Sequence, residues 1–251
     1  MKKITLKDVT FLMPVYFDSI IRQENAIATI SFIHKNFDTN IFVLESAPYN
    51  NHVFSSLIKK RAEYFYFENY DIIFHRTKFI NILTQKVNTP FLAIWDVDVI
   101  VDKNQILDAV EKLRKNEAEI SYPYNGCMLD TSDTIRILYL AKKNIKVLHK
   151  YKNYMNLIYG DNIKGGAVIV NTKKYLVAGM ENEDFYGWGN EDFERFFRFE
   201  SLGYRIYRSD GPLYHLTHPR DINGRYRSNT HFKYTTNMVK NTQMMTSKSN
   251  G

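Results

Sequence analysis

Asp96-Val97-Asp98 follows directly on the apolar run Phe91-Leu92-Ala93-Ile94-Trp95. Side chains alternate in extended chain, so Asp96 and Asp98 are expected to face one way and Val97 the core. Two carboxylates at the carboxyl end of a buried strand are costly unless a cation meets them. That end is also where open α/β sheets bind ligands. A divalent ion bridging a diphosphate would satisfy both carboxylates and neutralise a departing nucleotide; the ordinary alternative is a pair of solvated loop carboxylates. His215 and His218, in Tyr214-His215-Leu216-Thr217-His218, are spaced to aim both imidazoles at one ion from a helical turn or tight bend. With Asp98 as the oxygen ligand, such a mixed set suits Mn²⁺ better than Mg²⁺ or Ca²⁺.

Glu191-Asp192 follow Tyr186-Gly187-Trp188-Gly189-Asn190. Glycines on both sides of Trp188 predict a mobile, ring-bearing loop, with the two acids in the first turn of the next helix. Acids favour that position for dipole reasons alone. A base for a hydroxyl needs in addition that one carboxylate face a cleft. Arg22 and Arg76 each stand at a strand–loop–helix passage suited to phosphate contacts, and Gly165-Gly166 permits close approach of backbone to a ligand.

The elements that must position these groups read as strands at 9–15, 41–44, 64–67 and 90–95 and helices at 19–37, 77–87 and 104–116, the last with Asp102 as N-cap and Ile106, Val110 and Leu113 on one face. This alternation predicts an α/β fold with a mostly parallel sheet flanked by helices. The second half is less regular: strands at 167–170, 204–207 and 213–216, and a helix at 190–201 stopped by Gly203. One domain is expected over residues 1–222. Residues 223–251 read as a basic tail, partly disordered or peripheral, bearing Arg225, Arg227, Lys233, Lys240 and Lys248.

The chain of 251 residues is 44% hydrophobic and 24% charged, which excludes wholesale disorder. Its net charge of +7 predicts anionic partners: phosphorylated small molecules, anionic lipid or nucleic acid. The single cysteine, Cys127, allows no intrachain disulfide. Lys7 and Asp8 interrupt the region after the basic N-terminus, and no apolar run reaches the length of a membrane span. A cytoplasmic protein is expected, peripheral at the inner face of the cell membrane if the tail meets anionic lipid.

In chain order these segments resemble the β-1,4-galactosyltransferase family of GT-A glycosyltransferases: Pro14 with Arg22-Gln23-Glu24-Asn25; residues 74–81; Asp96-Val97-Asp98; Gly165-Gly166; Gly187-Trp188-Gly189-Asn190-Glu191-Asp192; and His215 to Asp221. The resemblance implies a GT-A, Rossmann-like nucleotide-diphospho-sugar transferase fold and an inverting, metal-dependent transfer from a UDP-sugar to a glycan or lipid-linked saccharide. Asp98, His215 and His218 would hold Mn²⁺, with Mg²⁺ as the alternative. Asp96 and Val97 would lie on the ribose side of the donor, and Pro14, Arg22 and Arg76 would contact its uracil, ribose or phosphates. Asp192 would be the catalytic base, with Glu191 and Trp188 at the acceptor. Asn190 and Phe193 depart from the family pattern. Ile163, two positions before the glycine pair, falls where galactose-specific members carry a larger tyrosine, so N-acetylgalactosamine stands beside galactose as the donor sugar. Lacking paired cysteines and an anchor, the chain looks like a bacterial relative that builds capsule or lipopolysaccharide glycans, without nucleic acid as partner. Two rival readings are a sugar nucleotidyltransferase and a basic protein that binds nucleic acid or anionic membrane without transferring anything.

Overall fold

The structure, a computed structural model, describes residues 3–249, with side chains as far as residue 244. Strands β1 (Ile4–Val15), β2 (Phe37–Ala47), β3 (Glu63–Glu68) and β4 (Phe91–Trp95) are parallel, with helices α1 (Ile20–Asn36), α2 (Val53–Ile58) and α3 (Arg76–Thr84) in their connections. There follow β5 (Val99–Val101), α4 (Lys103–Arg114), β6 (Ile120–Tyr122), β7 (Met128–Asp130), α5 (Asp133–Lys142), α6 (Lys146–Tyr151) and β8 (Asn156–Leu157). The chain continues with β9 (Ala167–Asn171), α7 (Thr172–Val177), α8 (Glu191–Ser201), β10 (Ile206–Arg208), β11 (Leu213–His215) and α9 (Asn229–Ser249).

The main sheet has the order β10-β6-β9-β4-β1-β2-β3, and a second sheet the order β5-β11-β7-β8. Every residue of β4 is buried, as a central strand covered on both faces requires. From β1 the chain steps outward to β2 and β3, then returns to β4 on the other side of β1. The carboxyl ends of β1 and β4 therefore lie together where the strand order reverses, and a crevice opens there. Asp102 caps α4 by accepting from the Asn104 amide at 2.8 Å, and Ile106, Val110 and Leu113 are buried beneath it. Ser19 caps α1 in the same way through the Arg22 amide, which fixes the start of the helix that carries Arg22.

The α/β architecture matches expectation, but the sheet is mixed: β9 runs antiparallel to both β4 and β6. Strands β5, β6, β7 and β8 and helices α2, α5, α6 and α7 are further elements that the sequence reading passes over. The supposed tail also differs, for within it α9 buries His231, Thr235 and Val239 and packs on α8. Two of those three residues are polar, so the inward stripe has no hydropathy signature. Lys248, part of that reading, lies outside the described side chains. Among the described residues no helix is long and apolar enough to cross a membrane.

Candidate active site

A cavity of about 380 Å³ occupies the crevice beyond β1 and β4. Pro14 lines it from the end of β1, Arg22 from α1, Arg76 from the start of α3, and Asp96, Val97 and Asp98 from the turn after β4. Ile163 and Gly166 contribute from the approach to β9, Trp188, Glu191 and Asp192 from the entry to α8, and His215 and His218 from the exit of β11. All the residues singled out in the sequence thus face one space, although they come from segments up to two hundred residues apart.

Asp96 and Asp98 do not act as an alternating pair. The Val99 amide donates to the Asp96 carbonyl at 3.3 Å, closing a turn that sends the two carboxylates to different partners. Asp96 accepts from Arg76 at 2.7 and 3.1 Å. Asp98 instead faces two rings, its Oδ2 lying 3.0 Å from His218 Nε2 and 3.7 Å from His215 Nε2. Val97 is buried in the main hydrophobic core, as expected, and at the same time forms part of the cavity wall.

Second partners set the orientation of both imidazoles. His215 Nδ1 is 2.7 Å from Asp130 Oδ1, and His218 Nδ1 is 2.7 Å from the Pro219 carbonyl oxygen. At His215 the Asp130 acceptor calls for the proton on Nδ1, and at His218 the nearer Pro219 carbonyl does so against the more distant Arg22 guanidinium; both Nε2 atoms face Asp98. Arg22 closes this side, bonded to Asp18 at 3.1 Å with an NH2 group 3.4 Å from His218 Nδ1. A lone pair against a carboxylate at this range is unfavourable unless a cation lies between, either as a proton on the ring or as one ion shared by the three atoms. One ligand atom from each of Asp98, His215 and His218 lies within 4.8 Å of the others. Adjacent ligands of a six-coordinate divalent ion stand about 3 Å apart, so the donor set and its spacing fit such an ion. The carboxylate behind His215 is the usual support for a metal-binding imidazole. Burial pushes the His215 pKa down, but Asp98 and Asp130 outweigh it and raise it to about 9. Against its own burial, Asp98 is held well below the usual carboxylate range by His215 and His218.

The opposite wall is a ladder of charge. Arg76 Nη1 lies 3.5 Å from Asp192 and 3.7 Å from Glu191, so the arginine expected at donor phosphates is shared among three carboxylates. Arg195, one turn along α8, is fully buried and holds Asp192 Oδ1 at 2.5 Å and Glu181 at 2.9 Å. Burial would raise the Asp192 pKa, yet Arg76 and Arg195 bring it below its ordinary value. Burial and the neighbouring Asp192 charge push Glu191 up to about 7, against the pull of Arg76. Among the described residues Asp192 Oδ2 has no hydrogen-bond partner; it sits over Gly165, where an added Cβ would come within 2.5 Å of it.

The Trp188 loop is pinned rather than free. Gly187 and Gly189 take φ of 90° and 122°, and Asn190 takes 71°, a left-handed conformation that asparagine tolerates in place of glycine. Tyr226 sets its ring edge-on to Trp188 at 5.2 Å and donates to Asn190 Oδ1 at 2.9 Å. The Asn190 amide donates to Thr235 and Thr236 of α9 at 3.1 and 3.2 Å. On the other side of Trp188 stands Tyr159, its ring 5.7 Å away and covered by Arg220. The sequence reading missed Asp130, Tyr159, Arg195 and Tyr226. For Arg195 a signal existed: Glu191, Arg195 and Phe199 recur at helical spacing, so a charged residue shares a face with a core phenylalanine.

Residues 147–221 match the family model described as the N-terminal domain of galactosyltransferase. Over 141 residues, 55% of the chain, it is 26% identical to β-1,4-galactosyltransferase 7 of Mus musculus and equally to that of Homo sapiens. The chain spans 33% of the length of these curated relatives. Among solved structures, the catalytic domain of Drosophila β-1,4-galactosyltransferase 7 in complex with xylobiose superposes with a TM-score of 0.57 at 16% identity, covering 91% of this chain and 79% of that one. Residues 1–349 of S. aureus TarS give 0.57 at 12% identity, with 93% and 64% covered. The mannosyltransferase PcManGT of Pyrobaculum calidifontis, in complex with GDP-Man and Mn²⁺, gives 0.55 at 12% identity, with 96% and 73% covered. The chain thus has the GT-A glycosyltransferase fold, and its residues 147–221 are similar to a galactosyltransferase family segment.

Proposed function

We propose that this protein is an inverting, metal-dependent glycosyltransferase that moves a hexose, galactose or N-acetylgalactosamine, from a UDP-sugar to a glycan or lipid-linked saccharide hydroxyl. The observation that carries the reading is a cation-ready Asp98–His215–His218 cluster and an anchored Asp192 carboxylate in one cavity at the switch point of the sheet. Asp98, His215 and His218 would hold the ion, Mn²⁺ or alternatively Mg²⁺, which when bound supplies positive charge against the departing diphosphate. PcManGT, with GDP-Man and Mn²⁺, and the Drosophila enzyme, with xylobiose, support the kinds of donor, ion and acceptor.

In this reading Arg195 holds Oδ1 of Asp192 and leaves Oδ2 to take the acceptor proton. Its lowered pKa keeps the carboxylate ionised; the proton is accepted late, as the hydroxyl oxygen bonds to C1 from the face opposite the leaving UDP and becomes acidic. Glu191 and Trp188 would orient the acceptor. Pro14, Arg22, Asp96, Val97, Ile163 and Gly166 would bound the donor, with Arg76 between donor and base. We place the protein in the bacterial cytoplasm, in capsule or lipopolysaccharide synthesis.

Calorimetry of UDP binding with and without Mn²⁺, on the wild type and on His218→Ala, tests the reading. Binding that needs the ion and is lost in the variant supports it. UDP binding that ignores both ion and mutation removes the metal assignment, and no UDP binding under any condition removes the donor.

A further inference from the structure

Between residues 134 and 160 the chain contains six Lys or Arg and no Asp or Glu, so this one stretch carries six of the seven net positive charges. It forms most of α5, all of α6, a 3-10 turn (Lys152–Tyr154) and β8. Ile135, Tyr139, Leu148 and Met155 are buried against Ile100 and Tyr214 of the second sheet and Leu216 just beyond it, which leaves the opposite face of both helices outward. Arg136 is turned inward and satisfied by Asn25 and Glu24. The five lysines, Lys142, Lys143, Lys146, Lys150 and Lys152, are all exposed, and among the described residues none forms an ion pair. Lys146 and Lys150 are one helical turn apart, as are Leu138 and Lys142, so charge and apolar surface share the outward face.

Interleaved with those charges are apolar groups that the fold leaves in water: Ile137 at 60%, Tyr154 at 78% and Leu157 at 46% exposed. Unpaired lysines repel one another, and isolated apolar side chains beside them gain nothing from solvent. One surface suits both: anionic headgroups over an acyl boundary, where lysines meet phosphate and the rings and branched chains enter the interface. A soluble polyanion would account for the lysines but not for Ile137, Tyr154 and Leu157. The same stretch runs into Tyr159 and then Ile163 on the cavity wall, so a bilayer held here would lie beside the mouth of the site.

We propose that the outward face of α5 and α6, with Tyr154 and Leu157, docks on an anionic lipid bilayer. The contact lies on this helical pair and not on the C-terminal segment. It stands independently of the transferase reading, because its test reads vesicle binding and not turnover.

The experiment is co-sedimentation of the full chain with vesicles of phosphatidylcholine, alone and with phosphatidylglycerol. Binding is expected only to the anionic vesicles, and to weaken with salt. Each surface lysine is worth about five-fold in affinity. Lys142→Glu/Lys146→Glu/Lys150→Glu should therefore lose about a hundredfold or more. Lys233→Glu/Lys240→Glu, on α9, should bind like the wild type. Tyr154→Ser/Leu157→Ser should weaken vesicle binding while leaving binding to soluble dextran sulfate unchanged. All of these side chains are exposed, and circular dichroism with melting confirms that each variant folds. Equal binding to neutral and anionic vesicles, or none to either, overturns the proposal. So does loss confined to the α9 variant. If the Tyr154/Leu157 variant matches the wild type on vesicles and dextran sulfate competes fully, the surface is a polyanion site and the lipid assignment falls.

Discussion

Arg195, on the buried face of α8, holds Oδ1 of Asp192 at 2.5 Å with only 1% of its side chain meeting solvent. Its other arm reaches Glu181 at 2.9 Å, and Glu181 is fixed in turn by the Tyr175 hydroxyl at 2.9 Å. The carboxylate assigned as base is therefore the cavity-facing end of a buried, charge-paired chain, and its free oxygen is aimed by Arg76 from the cavity wall and by Arg195, Glu181 and Tyr175 from behind it.

Replacing Arg195 by methionine leaves Glu181 buried and unpaired, which costs about 3–5 kcal/mol. The double variant Arg195→Met/Glu181→Gln should recover most of that stability but not activity, with kcat down about a hundredfold from misplacement of Asp192. Arg195 lowers the Asp192 pKa, so its removal raises it, and the acid limb of the rate profile should move to higher pH. A kcat profile against pH for the double variant checks both points. An unmoved acid limb would separate Arg195 from the base.

Glu191→Gln should make the protein more stable at neutral and alkaline pH. The folded-state pKa is raised from 4.5 to about 7, so the carboxyl contributes fully below 4.5 and its contribution is lost as pH rises through 7. Melting curves should coincide with the wild type near the lower value. Above pH 8 the variant should gain up to about 3 kcal/mol. A constant offset at every pH would contradict the burial argument.

Gly165→Ala tests space and not backbone freedom, since Gly165 is absent from the positive-φ glycines. The new methyl would meet Asp192 Oδ2 at 2.5 Å, and Arg195 prevents the carboxylate from swinging away. Transfer should fall about tenfold or more while Mn²⁺-dependent UDP binding stays normal, as paired calorimetry and turnover would show. In transition-state terms that loss is about 1.4 kcal/mol.

Tyr226→Ala removes the ring against Trp188 and the hydrogen bond to Asn190. Together these are worth about 1–3 kcal/mol to the loop. The loop should loosen, seen as faster amide exchange at residues 187–190, and the acceptor KM should rise more than the UDP affinity falls. Tyr226→Phe, which keeps the ring, should lie between the two.

Asp98→Asn should abolish Mn²⁺ binding by calorimetry and reduce transfer about 10²–10³-fold, the loss typical of one electrostatic donor at a developing charge. His215 then loses the carboxylate that raises its pKa, so its ring should titrate at lower pH by NMR. Near-normal turnover in a folded Asp98→Asn protein would contradict the ion's role.

By itself, the sequence determined the parallel half of the fold and most, but not all, of the groups around the cavity, Tyr159 and Tyr226 among those it missed. Apolar runs such as 91–95 and the capped periodicity of α4 depend on near neighbours alone, and local spacing records near neighbours. It did not show β5, β6, β7 or β8, strands of two or three residues whose ladders exist only because β9 and β10 flank β6, β11 stands beside β5 and β7, and β8 pairs with β7. Nor did it show α9, whose buried face is mostly polar and satisfied by hydrogen bonds. Only the tertiary structure decided that Asp96 turns to Arg76 while Asp98 turns to the histidines, that Arg195 is buried behind Asp192, and that Tyr226 closes on Trp188. Each of these is a pairing between side chains whose cost of burial is met by a partner on another element or another turn. Such a pairing becomes favourable only when the packed sheet and helices have excluded water from both members.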